Sequence, residues 1–220
     1  MVVFLLYKFH EMWNNPDMIL NWHQKVNLDS KSYICGYCGN SIASAVGYLA
    51  DHYNHGSQQS GHRAYIYICH KCEKPTFFNA ISLEQTPGAK FGNEVKDISD
   101  EKVAKLYNEA RGSFSQNAFT SVVLSCRKLL MHVAVSKGAP EGQNFIQYVE
   151  YLSDKNYIPP DAKEWVDHIR EKGNEANHEI VIMSEEDAKD LIGFSEMLLK
   201  LVYEFPANIK KKKAPPAPTA

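Results

Sequence analysis

Two short cysteine knuckles, Cys35-Gly36-Tyr37-Cys38 and Cys69-His70-Lys71-Cys72, constrain this chain more than any other feature. A Cys-x-x-Cys pair places two thiolates on one tight turn, and two such turns supply the four soft ligands of a tetrahedral zinc site. The flanking residues agree. Ser32, Tyr33 and Ile34 lead into the first knuckle, residues 64–68 form a β-rich run into the second, and Thr76, Phe77 and Phe78 return as the other strand of a hairpin. This is the pattern of a zinc ribbon, expected over residues 29–82.

Thirty residues separate Cys38 from Cys69, more than a four-cysteine ribbon needs. The excess falls in a polar stretch, residues 51–62, that can loop out without disturbing the ligands. Two rival chemistries fit less well. A thioredoxin-like redox pair needs one Cys-x-x-Cys at a strand–helix junction, and here there are two, both beside strand-like sequence. A disulfide framework needs an oxidising compartment. The opening run of Met1, Val2, Val3, Phe4, Leu5 and Leu6 has no preceding positive charge and is too short for a signal core or a membrane span. A reducing cytoplasm without membrane association is therefore expected. With every position filled by cysteine, one structural zinc per chain is expected, with no open site for water. His52, His55, His62 and His70 read as solvated loop residues, and Cys126 as a small buried hydrophobe.

The chain's 220 residues suffice for one good core plus a small metal-stabilised module. A net charge of −2 excludes a broadly basic nucleic-acid coat but permits a local basic site. Residues 1–28, with Phe4, Leu5, Tyr7, Phe9, Trp13, Ile19 and Trp22, read as an N-terminal helical segment. Pro87, Gly88 and Gly92 mark a linker over 83–98. Residues 207–220, with Lys210, Lys211, Lys212 and Lys213 before a proline-rich end, read as a disordered tail.

Residues 99–206 read as a helical bundle, making the fold α+β but mainly α. Ser99 is expected to cap a helix carrying Val103, Leu106, Tyr107 and Ala110. Ser113 or Ser115 should cap a longer one with Ala118, Val122, Leu124, Leu129 and Val133, stopped at Gly138. A third runs from Asn144 to Leu152. A fourth starts at Pro159, Pro160 and Asp161, and the fifth at Ser184 with an acidic first turn. Short connections imply antiparallel neighbours in an up-and-down bundle. On the fourth helix, Arg170, Asn174 and His178 recur at intervals of four and so share one face. Guanidinium, amide and imidazole on one stripe can together hold a phosphate and move a proton; capping of the helix end, with Gly173 as an interruption, is the structural alternative.

The runs around residues 106–110, 127–130, 169–179 and 202–206 resemble the domain-of-unknown-function family 4145, most specifically at Arg170-x-x-Gly173-Asn174-Glu175-Ala176-Asn177-His178. Members of that family can carry a four-cysteine module upstream. The family in turn is similar to the HEPN (higher eukaryotes and prokaryotes nucleotide-binding) superfamily of helical domains, which includes metal-independent ribonucleases of bacterial defence and toxin systems. The resemblance implies a HEPN-like bundle, RNA as ligand or substrate, a homodimer through the helical domain, and a protein partner from a defence system. It implies Arg170, Asn174 and His178 as catalytic residues: Arg170 on the scissile phosphate, His178 moving the proton, Asn174 positioning either.

This sequence departs from the HEPN pattern of an arginine followed at a short interval by histidine. Gly173 occupies the arginine position, and seven residues separate Arg170 from His178. A literal match, Arg127 with His132, is five residues apart on a helix, hence about 140° around it. Arg127 is expected instead to pair with Glu109 in the bundle interior, the two acting as supporting residues. Three functional classes follow: a metal-independent endoribonuclease, a non-catalytic module that binds nucleic acid or protein, and a structural accessory whose zinc only stabilises a small domain.

Overall fold

The computed structural model describes residues 21–51, 62–159 and 182–213. These form two compact units: residues 21–33 with 40–85, and residues 34–39 with 86–213.

The first unit is a sheet. Its strands, β1 (Val26–Ile34), β2 (Ser41–Asp51), β3 (His62–Ile68), β4 (Pro75–Asn79) and the short β5 (Gln85–Thr86), lie in sequence order. The hairpin expected from residues 64–68 and 76–78 is present: β3 and β4 run antiparallel, with Tyr65 opposite Phe78 and Tyr67 opposite Thr76. Strand alternation sends Tyr33, Tyr67 and Phe78 to the buried side, where they form the aromatic core. Phe78 meets Tyr33 and Tyr67 edge-on, with centroids at 5.1 and 5.7 Å, a favoured aromatic geometry.

Strand β2 was not expected. It pairs antiparallel with β3, Gly47 opposite Tyr67 and Leu49 opposite Tyr65, with an irregularity at Ala50 and Asp51. It buries Ile42 and Ser44, and the Ser44 hydroxyl donates to the Ile68 carbonyl at 2.9 Å, which removes the cost of burying it. A Cβ at Gly47 would lie 1.8 Å from the Ile66 carbonyl oxygen, so only glycine fits there. Residues 26–28, expected to be helical, belong to β1; residues 21–25 are irregular, and 1–20 lie outside the described residues. Trp22 is held by its Nε1, which donates to the Glu73 carbonyl at 2.7 Å.

The second unit is helical: α1 (Glu101–Phe114), α2 (Phe119–Ser136), α3 (Phe145–Asp154), α4 (Glu185–Leu199), a π turn (Lys200–Glu204) and α5 (Phe205–Lys213). Helix α2 packs against α1, α3 and α4. By length and composition it could cross a membrane, but Val122, Cys126, Leu129, Leu130 and Val133 are fully buried in this core. The caps were partly legible. Asn144 and Ser184 each close a capping box, each worth about 1 kcal/mol. Helix α1 is capped by Asp100 rather than Ser99. Neither Ser113 nor Ser115 caps α2. They end α1, with the Ser115 hydroxyl on the Gly112 carbonyl, and α2 starts after Ala118 without a side-chain cap. Gly138, at φ +100, follows α2 as expected. The fourth helix of the sequence reading lies outside the described residues.

Two boundaries differ from expectation. Pro206 should end the last helix, since it has no N–H and crowds the preceding turn. Instead the Phe205 N–H reaches back to the Lys200 carbonyl in the π turn, and the helix continues through Lys213 with its lysines exposed rather than forming a disordered tail from residue 207. Residues 87–98 are not a free linker. They are strapped to the helices by Gly88 N–H on the Ser115 carbonyl at 2.7 Å, Tyr107 Oη on the Asn93 carbonyl at 2.9 Å, Asn93 on Glu196 and Lys96 N–H on Glu204.

Candidate metal centre

Both knuckles fold the same way. In the first, the Gly39 N–H donates to the Cys35 carbonyl at 2.8 Å; in the second, the Glu73 N–H donates to the Cys69 carbonyl at the same distance. The fifth residue of each turn takes the left-handed conformation, Gly39 at φ +74 and Glu73 at φ +57. Glycine adopts it freely, whereas at Glu73 it carries a small strain cost. In the second knuckle the Lys71 N–H also points at Cys69 Sγ, at 3.4 Å. Such a bond stabilises a thiolate and orients it as a ligand.

The four sulfurs of Cys35, Cys38, Cys69 and Cys72 lie within 4.8 Å of one another. A tetrahedron with zinc–sulfur bonds of about 2.3 Å needs sulfurs about 3.8 Å apart, so the group is compatible with a metal ion. Cys35 and Cys69 are fully buried, Cys38 and Cys72 half-buried, and no disulfide joins them. Four thiols gathered without a disulfide suit a soft metal, and the donor set is complete without water. His70 is exposed beside Cys69 and does not join the cluster; His52 and His55 lie outside the described residues, as does the His62 side chain. Among the described residues, no second group of metal-ligating side chains forms.

The first knuckle packs tightly against residues 87–90. A Cβ on Gly36 would come 2.3 Å from the Gly88 carbonyl oxygen, so the residue after Cys35 has to be glycine. Lys90 Nζ donates to the Tyr37 carbonyl at 3.2 Å. Burial, reinforced by the Arg111 guanidinium, draws the Lys90 ammonium below its usual range, against the opposing pull of Cys38, Cys35 and Glu94. Were a zinc ion held by the four thiolates, the site would carry two net negative charges, and a lysine at that place would offset one of them. Spacing from the cysteines could not have found Lys90, which lies 52 positions beyond Cys38.

Beside the second knuckle, the sheet unit carries a groove of about 420 Å³ lined by Trp22, Lys25, Ser44, Ile68, Cys69 and His70, among others. Lys25 and His70 are exposed and Trp22 half-buried. One aromatic face and two basic groups share the concavity.

Arg170, Asn174 and His178 lie outside the described residues. The two supporting residues, Arg127 and Glu109, differ in burial. Arg127 is buried, 7% exposed, with its guanidinium 4.7 Å from the Phe145 ring centroid, and burial lowers its pKa. Glu109 is exposed on α1. Helix α1 turns Val103, Tyr107, Ala110, Arg111 and Phe114 inward, whereas Glu109 is exposed. His132 points away from Arg127 into an exposed pair with Asp100, Nε2 to Oδ2 at 2.9 Å. Arg127 and His132 thus face different directions, as helix geometry requires. Cys126 is buried against the core; burial pushes its thiol up to about 12, against a small opposing contribution from the Ser195 hydroxyl.

Residues 108–214 match the family model described as a domain of unknown function (DUF4145). The match begins inside α1, ends one residue past α5, and leaves the four cysteines outside it. The helical part of this chain is therefore similar to that family over just under half of the chain's length, and the description names no activity. No curated protein and no solved structure matches the chain.

Proposed function

We propose that this protein is a zinc-stabilised RNA-binding module. The zinc is structural: four cysteines complete its coordination, so it holds the two knuckles together and takes no part in chemistry. The observation that carries the RNA reading is the groove beside the second knuckle, which Trp22, Lys25 and His70 line together with Glu73. An aromatic face stacks on an unpaired base, and the lysine ammonium meets the adjoining phosphate. A chain with a net charge of −2 then binds through a local site rather than a basic coat.

The test is fluorescence anisotropy of a labelled single-stranded RNA with the zinc-loaded protein. Lys25→Glu should weaken binding about tenfold and reduce the salt dependence by one phosphate contact. Wild-type protein that fails to bind at low salt, or a Lys25→Glu variant that binds equally well, would overturn the reading.

A second reading, RNA cleavage, is favoured by one observation: Arg170, Asn174 and His178 fall within the family match. His178 would move the proton and Arg170 would hold the phosphate, with no metal in the reaction. His178→Ala should then abolish cleavage while leaving RNA affinity intact. A wild type that cleaves no RNA between about pH 6 and 8, where a histidine works, leaves binding as the function.

A further inference from the structure

We propose that Lys90 is the charge partner of the cysteine centre and tunes it to a divalent ion, so that the four thiolates hold zinc in preference to a trivalent metal. The inference rests on the zinc reading above and adds to it the residue that selects the ion.

Geometry places the cation. Lys90 Nζ donates to the carbonyl of Tyr37, the residue just before Cys38, at 3.2 Å. Its stem covers the end of the same turn: a Cβ built at Gly39 would lie 3.6 Å from Lys90 Cδ and 3.0 Å from Arg111 Nη2. A lysine and an arginine thus converge on the first knuckle, and the arginine is buried. Two cations side by side, one of them buried, call for an anion close at hand. Among the described residues, the negative groups that act on Lys90 are Cys38, Cys35 and Glu94, the two cysteines more strongly than the carboxylate. Glu94 is exposed, so water screens it. The principal counter-charge is therefore the knuckle itself, once a metal ion holds its sulfurs as thiolates.

Net charge then decides the ion. Four thiolates leave −2 around a divalent ion and −1 around a trivalent one. A cation beside the site favours the first state over the second by one charge interaction. Two unit charges about 10 Å apart, at an effective dielectric of about 20, shift an equilibrium roughly tenfold. Arg111 pulls in the same direction, but it also holds the carbonyls of Phe91 and Gly92. Lys90 is the cation that can be changed without releasing that strap.

The test uses the full-length reduced protein, loaded with zinc or, as a probe of charge, with iron. Lys90→Gln keeps a donor for the Tyr37 carbonyl and removes the charge; Lys90→Arg keeps the charge. Loading zinc converts four largely neutral thiols into a site of −2, a change of two charges. Competition with a chromogenic chelator at pH 7 should therefore show zinc affinity about a hundredfold weaker in Lys90→Gln. Reducing the iron site from −1 to −2 changes one charge, so its midpoint potential should fall about tenfold in the equilibrium, or about 59 mV for one electron. Lys90→Arg should restore most of both. Helical circular dichroism should be the same in all three proteins.

A wild type that binds no metal would overturn the zinc reading and this inference with it. A wild type that binds one zinc, with Lys90→Gln matching it in affinity and in potential, would overturn the inference alone. So would a loss of affinity without a shift in potential, or one that Lys90→Arg fails to restore, since lost packing rather than lost charge would then be the cause.

Discussion

Arg111 and Gly92 are locked together: the guanidinium Nη2 donates to the Gly92 carbonyl at 2.6 Å, and Nε of the same side chain donates to the Phe91 carbonyl at 3.1 Å. Arg111 is 4% exposed, its guanidinium 5.7 Å from the centre of the Tyr107 ring. Gly92 sits at φ +74, and a Cβ there would come 2.6 Å from Ile192 Cγ2. Residues 87–98 thus follow α1 and α4 because one buried cation binds their carbonyls and one glycine lets the backbone approach. The region belongs to the helical core even though its composition is that of a linker.

Arg111→Ala should destabilise the helical unit by about 3 kcal/mol, since two buried carbonyls lose their donors and a cavity opens. Arg111→Lys should recover less than half, because an ammonium cannot span two carbonyls in fork geometry. Urea unfolding followed by circular dichroism reads both. A loss below about 0.5 kcal/mol for Arg111→Ala would show that the strap is not held by this side chain.

Gly47→Ala should break the pairing of β2 with β3. The added methyl would meet the Ile66 carbonyl at 1.8 Å, a clash the sheet can relieve only by separating the strands. A loss of about 3 kcal/mol or more in the sheet unit is expected, visible as amide exchange at Tyr65 and Tyr67 while amides of α2 stay protected. Uniform protection across β2 and β3 in the variant would refute it.

One zinc per chain should be found by metal analysis of freshly reduced protein, and Cys35→Ser or Cys72→Ser should each remove it. The helical signal should survive, because Leu129, Leu130, Val133, Phe194 and Leu198 form a core that contains none of the four ligands. Acidification should release the metal as protons compete for the thiolates, with a steep dependence on pH, since several sulfurs are protonated together. Less than about half an equivalent in the wild type would overturn the assignment.

The cysteine cluster was legible because its signal is local: spacing within each knuckle, and strand-like sequence on either side. The β3–β4 hairpin, the helix start at Asn144 and the cap at Ser184 were legible for the same reason. Strand β2 was not. Its interior positions are Ile42 and Ser44, and a serine in a core position hides the alternation until its bond to Ile68 is seen. The strap over residues 87–98 was read as a linker because glycine and proline signal breaks equally well whether the backbone is free or closely packed. Pro206 misled in the opposite direction: it ends an ordinary α-helix, and only the π turn before it lets the chain go on to Lys213. Arg111 gave no signal at all, since an arginine between Ala110 and Gly112 reads as the polar face of α1.

Glu196 should make the helical unit sensitive to acid. Burial of its carboxyl raises the pKa, but the Asn93 backbone N–H at 2.7 Å, the Asn93 side-chain amide at 2.9 Å and the Lys200 ammonium more than offset this and hold it below the usual carboxylate range. A depressed folded-state pKa means that the charged form binds the fold more tightly than it binds the unfolded chain. The resulting stability is present above the unfolded glutamate value of about 4.3 and is lost as pH falls through the lower, folded value. Glu196→Gln keeps the size but removes the charge, and its amide sets a donor against Lys200. At pH 7 it should cost about 1–2 kcal/mol, and the gap between variant and wild type should shrink as pH falls below about 4.3. Thermal unfolding across that range measures the difference directly. A gap that stays constant with pH would mean that the carboxylate charge contributes nothing to holding Asn93 in place.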